Sequence, residues 1–222
     1  MIKLGTTERH YPWGVLRSTH ASKVKFVLAE KGLPWQAERI RPGDIWRKPP
    51  EMLAKHPLGK VPWIEDEGTL IWDSTVILEY LEERYPKPAL LPTDVKARAE
   101  ARMVNRFVDE AVLGGDLPAI WMPWWSKEED RDTNAMAEGR KRLRRRALPW
   151  LEARLDDGSR DWICGKLSMA DAGLAAMAMV MQVDQFDLTD FPALDAYLQR
   201  LRGRRAYLTI SPKTSLEDSV SA

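Results

Sequence analysis

Residues 59–75 read GKVPWIEDEGTLIWDST, and this stretch decides how the N-terminal part of the chain folds. Two short apolar runs, VPWI and TLIW, flank the acidic turn sequence EDEG, which predicts a β-hairpin. Asp73-Ser74 then precedes a helical pattern, as residues that cap helices do. Pro62 stands at the mouth of the first strand, where it cannot donate a hydrogen bond to a sheet. The proline therefore indicates a main-chain role other than strand pairing.

Strand and helix signals alternate through the first ninety residues. Upstream of the hairpin, SKVKFVLAEKG has apolar residues at helical spacing, WQAERI alternates like a strand, and IWRKPPEMLAKH reads as a broken helix. Downstream, STVILEYLEERYP is an amphipathic helix that Pro86 ends. With a first strand at IKLG, the predicted element order of the N-terminal part is βαβαββα.

The rest of the chain carries almost only helical patterns. Residues 86–93, PKPALLPT, hold three prolines and suit an extended connector, so we predict an N-terminal domain over 1–85, a linker over 86–93 and an all-helical domain over 94–222. Within that domain, Ser168 and Asp171 have the spacing of a capping box at the start of the helix SMADAGLAAMAMVMQV. The tail SPKTSLEDSVSA is expected to be loosely ordered.

Composition excludes several classes of function. The 34 Lys and Arg nearly balance the 33 Asp and Glu, so the charge supplies no long-range field that favours nucleic acid or an anionic membrane. The basic run Arg140 to Arg146 is expected to be a solvated helix face. Cys164 is the single cysteine, and no zinc-ligand spacing occurs, so we expect no disulfide and no metal. The absence of a signal or membrane-spanning segment favours a soluble, cytoplasmic protein.

Three segments occur in this order within roughly residues 15 to 205: STHASKVKFVLAEKGLPW, HPLGKVPWIEDEGTLIWDSTVILEYLEERYP and GKLSMADAGL. Together they resemble a known family, the soluble glutathione transferases. Each segment alone is a weak signal, whereas their order and spacing are specific. The resemblance implies a thioredoxin-like βαβαββα domain followed by an all-helical domain, which is the order read from the residues themselves. It also implies glutathione as the co-substrate of a bacterial-like, serine-type enzyme.

The resemblance also implies how the opening stretch is used. It implies that Pro62 is cis and that the main chain of Val61 pairs with the cysteinyl backbone of glutathione, as a strand edge binds a peptide. Asp73 and Ser74 would hold the γ-glutamyl group at the helix N-terminus, and Lys60 would approach the glycyl carboxylate. Without the resemblance, the same residues indicate only a helix cap and a solvated lysine.

The residue expected to activate the thiol is Ser18, with Tyr11, Thr19 and Ser22 as rivals. A hydrogen-bond donor aimed at sulfur favours the thiolate, and the resemblance places it at the start of the first helix. Ser18 matches the position used by serine-type members, Ser22 matches an alternative site, and Thr19 lies between them. Tyr11 is the rival, because some classes use a tyrosine near the first strand. With no cysteine there, a mixed-disulfide mechanism is not expected.

Two further features bear on the second substrate. The segment ERHYPWGVLR, residues 8–17, is unusually long for a strand-to-helix connection, and either it lines the second-substrate site or it displaces the first strand. The tryptophans of AIWMPWWS are either core residues or, as the resemblance implies, part of an apolar electrophile pocket. The predicted pocket residues are Tyr11, Trp13, Trp121, Trp124 and Trp125.

The leading functional hypothesis is conjugation of the glutathione thiolate to a hydrophobic electrophile by a homodimer. The alternatives are glutathione-dependent ether cleavage, dehalogenation or isomerisation, and a binding module that keeps the fold without turnover. A serine hydrolase built on Ser18 and His20 is disfavoured, because the chain has no Gly-x-Ser-x-Gly elbow and residues two apart do not face each other on a helix.

Overall fold

The computed structural model describes residues 1–156, 158 and 160–213. The described residues divide into two compact units, one formed by residues 1–89 and 205–213 and the other by the described residues within 90–204. The strands of the first unit are β1 (Ile2–Thr6), β2 (Glu8–Tyr11), β3 (Gly14–Arg17), β4 (Trp35–Arg39), β5 (Trp63–Asp66) and β6 (Thr69–Trp72). Its helices are α1 (Thr19–Glu30), α2 (Pro42–Arg47), α3 (Pro50–Lys55) and α4 (Ser74–Arg84).

Four strands of the first unit form one mixed sheet in the order β4-β1-β5-β6. Strand β1 runs parallel to β4 and antiparallel to β5, and β5 and β6 form an antiparallel hairpin. The hairpin turn has positive φ at both central residues, 48° at Glu67 and 82° at Gly68, as a two-residue turn between twisted strands requires. The predicted hairpin and the thioredoxin-like order are therefore confirmed.

The inserted segment 8–17 is a second β-hairpin, formed by β2 and β3. It does not displace the first strand, because β1 keeps its place in the sheet. The Ser18 N–H donates to the Thr7 carbonyl at 3.1 Å and closes the hairpin at its base. The insertion is therefore an excursion that returns the chain to the end of β1 before α1 begins.

The hairpin also contacts the last described residues of the chain. The Val15 N–H donates to the Pro212 carbonyl at 2.9 Å, and Arg17 Nη1 donates to the Ser211 carbonyl at 2.7 Å. A Cβ at Gly14 would lie 2.0 Å from the Pro212 oxygen, so this approach requires glycine. The predicted helical domain ran to residue 222, whereas the structure places residues 205–213 with the first unit. Residues 214–222, most of the tail predicted to be loose, lie outside the described residues.

Helix α1 is buried on more than the single stripe that its sequence pattern predicts. Every residue from Thr19 to Leu28 except His20 is buried, and the side chains include two lysines, Lys23 and Lys25. The cause is a second layer, since the terminal turn Arg205–Thr209 packs on α1 as α4 does.

All the regular secondary structure among the described residues of the second unit is helical, as predicted. Its helices are α5 (Val95–Phe107), α6 (Leu117–Trp121), α7 (Thr133–Leu155), α8 (Met169–Asp184) and α9 (Pro192–Arg202), with a π-helical stretch at Val108–Asp116 and 3₁₀ turns at Met122–Trp125 and Glu128–Asp130. Helix α8 is apolar around its circumference and buried from Met169 to Met181, which makes it the centre of this unit. On α5, the helical spacing of the apolar residues Val95 and Met103 indicates an inward-facing stripe, but the two side chains are 79% and 58% exposed.

The basic run on α7 is largely neutralised by acids of the same unit. Arg140 Nε donates to Asp184 at 2.8 Å, Arg142 Nε donates to Asp116 at 2.9 Å, and Arg144 pairs with Asp190. These pairs give the arginines partners within the fold, in line with the predicted solvated face. Within the described ranges, no helix has the length and apolar character needed to cross a bilayer.

Candidate functional site

The sheet topology brings three separate segments to one edge of the first unit. In the register of the sheet, Gly5 faces Trp63, and Trp63 faces Trp72. The C-terminal end of β1, the start of β5 and the end of β6 therefore lie side by side. These ends carry the residues that the resemblance assigns to glutathione: Ser18 after the β2–β3 hairpin, Val61-Pro62 before β5, and Asp73-Ser74 after β6.

The Val61–Pro62 segment presents main chain at this edge. The peptide bond between the two residues is cis, as predicted. Pro62 is buried and Val61 is half-buried, and no bond to the Val61 main chain is found among the described residues. Lys60, just before it, is exposed. The sheet leaves the Val61 N–H and C=O available for a peptide-like ligand, and Lys60 provides a positive charge beside them.

The start of α4 combines a helix cap with an unusual backbone conformation. The Asp73 carboxylate accepts from the Thr75 N–H at 2.9 Å and from the Val76 N–H at 3.2 Å. Its φ of 74° is uncommon for a residue other than glycine, and such outliers concentrate at ligand sites. Asp73 is exposed, whereas Ser74 is only 5% exposed. A helix N-terminus of this kind favours a negatively charged ligand group.

Among the candidates for thiol activation, Ser18 is the residue that lies at the sheet edge formed by the ends of β1, β5 and β6. It is the N-cap of α1, where its Oγ accepts from the Ala21 N–H at 3.4 Å, and its hydroxyl proton can still be donated to another group. Ser18 is 7% exposed, compared with 1% for Thr19 and 0% for Ser22. Ser22 is thus enclosed by the fold, and Ser18 is the most accessible of the three hydroxyls.

Tyr11 lies far from the base of the hairpin. It is the last residue of β2, opposite Gly14, four residues beyond Thr7, which corresponds to roughly 13 Å at the usual rise of a strand. Its ring stacks on Trp13, with centroids 4.7 Å apart and an angle of 11°. The two residues predicted to line the electrophile pocket from the first unit therefore form one aromatic tip, separated from Ser18.

The three predicted pocket tryptophans of the second unit are grouped in one short segment. Trp121 and Trp125 contact edge to face, with centroids 5.4 Å apart, and the Arg131 guanidinium lies 4.3 Å from the centre of the Trp124 ring. All three rings are half-buried, so they are neither enclosed core nor isolated surface residues. We call Trp121, Trp124 and Trp125 the tryptophan cluster.

Sequence reasoning missed two residues next to the edge. Lys23 is fully buried, and its Nζ donates to Thr75 Oγ1 at 2.9 Å in the first turn of α4. His56 is 5% exposed, and its ring lies 4.9 Å from that of Trp72. A lysine in a helix usually reads as solvent-facing, and only knowledge of what covers α1 would have indicated otherwise. The sequence signal for His56 was its position in HPLGKVP, four residues before Lys60.

The base of the hairpin is held by a buried carboxylate among cations. Burial raises the pKa of Glu8, but Lys25, Arg39 and Arg17 outweigh it and hold the pKa below its usual value. Arg39 Nε donates to Glu8 Oε1 at 2.8 Å, and Arg17 Nε lies 3.6 Å from Oε2. These pairs fix the strand that returns the chain to Ser18.

Cys164 does not supply a reactive thiol. It is half-buried in the second unit, and burial followed by the charge of Asp171 raises its pKa to about 11. The thiol therefore stays protonated at neutral pH, unlike the low-pKa thiolates of catalytic cysteines. Among the residues that the structure describes, no three His, Cys, Asp or Glu side chains are grouped to hold a metal ion.

Comparison with known proteins defines the class to which this architecture belongs. The family profile described as the glutathione S-transferase N-terminal domain matches residues 17–84, and that of the C-terminal domain matches residues 134–200. The chain therefore belongs to the glutathione S-transferase superfamily. A glutathione S-transferase from Rhodospirillum rubrum has the same fold, with a TM-score of 0.78, 25% identity and coverage of 95% of this chain and 91% of that one.

Two curated relatives have different names. Maleylacetoacetate isomerase of Pseudomonas aeruginosa is 47% identical over 96 residues, a match that spans 41% of this chain and 45% of that protein. FtsZ-localized protein A of Caulobacter vibrioides is 30% identical over 200 residues, or 85% of this chain and 84% of that one. Membership of the superfamily thus includes proteins with more than one kind of name.

Proposed function

We propose that this protein is a glutathione transferase that joins the glutathione thiolate to a hydrophobic electrophile. The observation that carries this proposal is the meeting of Ser18, the cis Val61–Pro62 segment and the start of α4 at one sheet edge. One ligand that presents a thiol, a peptide backbone and a charged amino-acid end would use all three.

Glutathione fits this arrangement group by group. Its cysteinyl backbone pairs with the free main chain of Val61, as an added strand would. Its γ-glutamyl carboxylate takes the N-terminal amides of α4 and the Ser74 hydroxyl, and Asp73 meets its ammonium group. Lys60 attracts the glycyl carboxylate at the exposed end of the site.

Ser18 supplies the chemistry in this proposal. A free thiol has a pKa near 8.5 and is only a few per cent ionised at neutral pH. The Ser18 hydroxyl donates to the sulfur and stabilises the thiolate, so that the thiol proton leaves to solvent. The sulfur then forms a bond to an electrophilic carbon, and the leaving group departs with its electron pair. The role of the tryptophan cluster in binding the apolar body of the electrophile, which the resemblance implies, stays a prediction.

Glutathione-dependent isomerisation is the second candidate. It is favoured by the similarity over part of the chain to the protein named maleylacetoacetate isomerase. A transferase consumes one thiol per turnover, whereas an isomerase forms and then breaks the carbon–sulfur bond and regenerates glutathione. Titration of free thiol during turnover separates the two reactions.

The test of the proposed function is the ionisation of bound glutathione, followed by the ultraviolet absorbance of its thiolate. In the wild type we expect the pKa of the bound thiol to lie one to two units, about 1.4 kcal/mol each, below its free value. The change Ser18→Ala should raise that pKa, keep the affinity, and lower turnover roughly tenfold to a thousandfold, because one preorganised donor is lost.

The matched control is Tyr11→Phe, which removes a hydroxyl at the hairpin tip. It should leave the thiol titration unchanged. A shift with Tyr11→Phe and none with Ser18→Ala would make this a tyrosine-type enzyme, and no shift with either would turn attention to Thr19 and Ser22. Glutathione bound only as the neutral thiol would favour the binding module, and no glutathione binding at all would refute the proposed function.

We also propose a cytoplasmic homodimer. Exposed apolar side chains occur on α5, at Val95 and Met103, and at the β6–α4 region of the first unit, at Trp72 and Val76. A two-fold contact between copies would cover such residues. Light scattering should give about twice the chain mass of 25.4 kDa, and a stable monomer at micromolar concentration would count against the dimer.

A further inference from the structure

One buried histidine connects the two segments to which the glutathione contacts are assigned. His56 ends α3, and its carbonyl accepts from the Gly59 N–H at 2.7 Å. Its Nδ1 accepts from the Leu58 N–H at 3.1 Å. Both bonds fold the tight turn that leads into Lys60 and the cis peptide bond. On its other side, the ring contacts Trp72, the residue before Asp73.

The bond to Leu58 defines the protonation state of the imidazole. A main-chain N–H can only donate, so Nδ1 must carry a lone pair and the ring must be neutral, with its proton on Nε2. Protonation would place a second N–H opposite that of Leu58, and two donors facing each other cannot bond. The turn would then have to open, and the segment that presents Val61 would move with it.

We propose that His56 is a positioning residue for the glutathione site, and that its protonation releases the turn at residues 56–60 and weakens glutathione binding in acid. This inference rests on the proposed function, because it concerns the regulation of that same site. It makes ligand binding depend on a group that touches no part of the ligand.

The surroundings of the ring agree with a neutral resting state. Burial lowers the pKa of His56, the nearby charge of Lys60 lowers it further, and the Asp73 carboxylate opposes the shift. These are the charged groups that act on the ring, one in the turn and one at the start of α4. Lys60 already attracts the glycyl carboxylate, so we expect the loss of the Leu58 bond to outweigh the added charge of the imidazole. Protonation of His56 should therefore weaken glutathione binding.

The direction of the pH effect follows from this lowered pKa. An unperturbed histidine titrates near pH 6.5, and His56 therefore stays neutral through the neutral range. Below this lowered pKa, the fraction of the protein that has a neutral His56 falls by at most about tenfold per pH unit. The apparent affinity for the ligand falls in proportion. We expect constant affinity at neutral pH and a progressive loss once the pH falls below this lowered pKa.

The experiment uses S-methylglutathione, because its blocked thiol removes the thiolate from the pH dependence. Calorimetry between about pH 4.5 and 8 should show a wild-type affinity that is constant at neutral pH and falls at the acid end, by at most about tenfold per pH unit. In His56→Asn, the side-chain oxygen can accept from the Leu58 N–H without titrating, as in an Asx turn. This variant should keep the neutral affinity and lose the acid dependence.

Two further variants complete the test. His56→Ala removes the acceptor and should bind weakly at every pH, while His10→Asn changes an exposed histidine of β2 and should behave as wild type. A wild type whose affinity is the same at about pH 4.5 and 8, or an acid loss that persists in His56→Asn, would overturn the inference while leaving the proposed function intact. Failure of the wild type to bind S-methylglutathione at neutral pH would instead refute the proposed function.

Discussion

Two helices of this protein begin with the same pair of residue types, a serine and an aspartate, but the two N-termini have different surroundings. Helix α4 starts with Asp73 and Ser74, and helix α8 starts with Ser168 and Asp171. At α8, the capping box is buried, with Ser168 at 2% and Asp171 at 0% exposure. At α4, Asp73 is exposed and strained in φ, and it caps its helix at an open sheet edge.

The difference lies in how many donors each carboxylate receives from its own unit. Asp171 accepts four hydrogen bonds: from the Ser168 N–H at 2.7 Å, the Ser168 hydroxyl at 3.1 Å, the Ile163 N–H at 3.2 Å and the Tyr197 hydroxyl at 2.6 Å. Asp73 accepts two, both from its own helix. The acceptor sites of Asp171 are therefore filled by its own unit, whereas Asp73 can still accept hydrogen bonds from a ligand. The same capping chemistry is thus structural in one place and a candidate binding site in the other.

The largest effect that tests this comparison is the loss of stability expected from a substitution of Asp171. Asp171→Ala leaves two main-chain N–H groups and the Tyr197 hydroxyl buried without their acceptor. Each buried donor left without its acceptor costs about 1–3 kcal/mol, so the three together should lower the free energy of unfolding by at least about 3 kcal/mol. Urea denaturation of the two proteins measures the difference.

The control for this change is Glu138→Ala, which removes an exposed carboxylate from α7 that pairs with Lys141. It should leave the free energy of unfolding close to that of the wild type, because exposed ion pairs contribute little to stability. If Asp171→Ala cost no more than this control, the buried box would not be a structural element, and the contrast between the two helix starts would fail.

At the other start, the expected effect is on binding. Asp73→Ala and Ser74→Ala should each weaken glutathione binding by about 1–3 kcal/mol, the scale for a lost hydrogen bond to a charged group. Asp73→Ala should also cost about 1 kcal/mol of stability through the lost cap, so calorimetry has to be done on protein that is shown to be folded. Unchanged affinity in both variants would remove the proposed γ-glutamyl site.

The sequence predicted these two starts unequally well. The capping box at Ser168 and Asp171 could be predicted from spacing alone, because its pattern is local. The local pattern could not predict that Asp73 lies beside the cis peptide bond, because only the register of β5 and β6 brings the two together. The resemblance to a family supplied that connection in advance of the sheet topology.

Other parts of the fold could not be predicted because their partners are distant in sequence. The burial of Lys23 depends on what covers α1, and the hairpin of residues 8–17 depends on Pro212 and Ser211, about two hundred residues away. Val95 and Met103 fit an inward-facing pattern on α5 and are nevertheless exposed, because periodicity indicates an apolar face and does not say what covers it.

The smallest effect is expected from the hydroxyl of the buried box. Ser168 Oγ accepts from the Ala170 N–H at 3.3 Å and donates to Asp171, and Ser168→Ala removes both bonds while Asp171 keeps its other three donors. We expect a loss of about 1 kcal/mol of unfolding free energy, the typical value for a serine N-cap, and no change in glutathione affinity. Ser74→Ala should show the reverse, with little change in stability and weaker binding. Denaturation and calorimetry on the two serine variants therefore give opposite patterns if one helix start is structural and the other binds glutathione. The same pattern in both variants would show that burial does not separate the two roles.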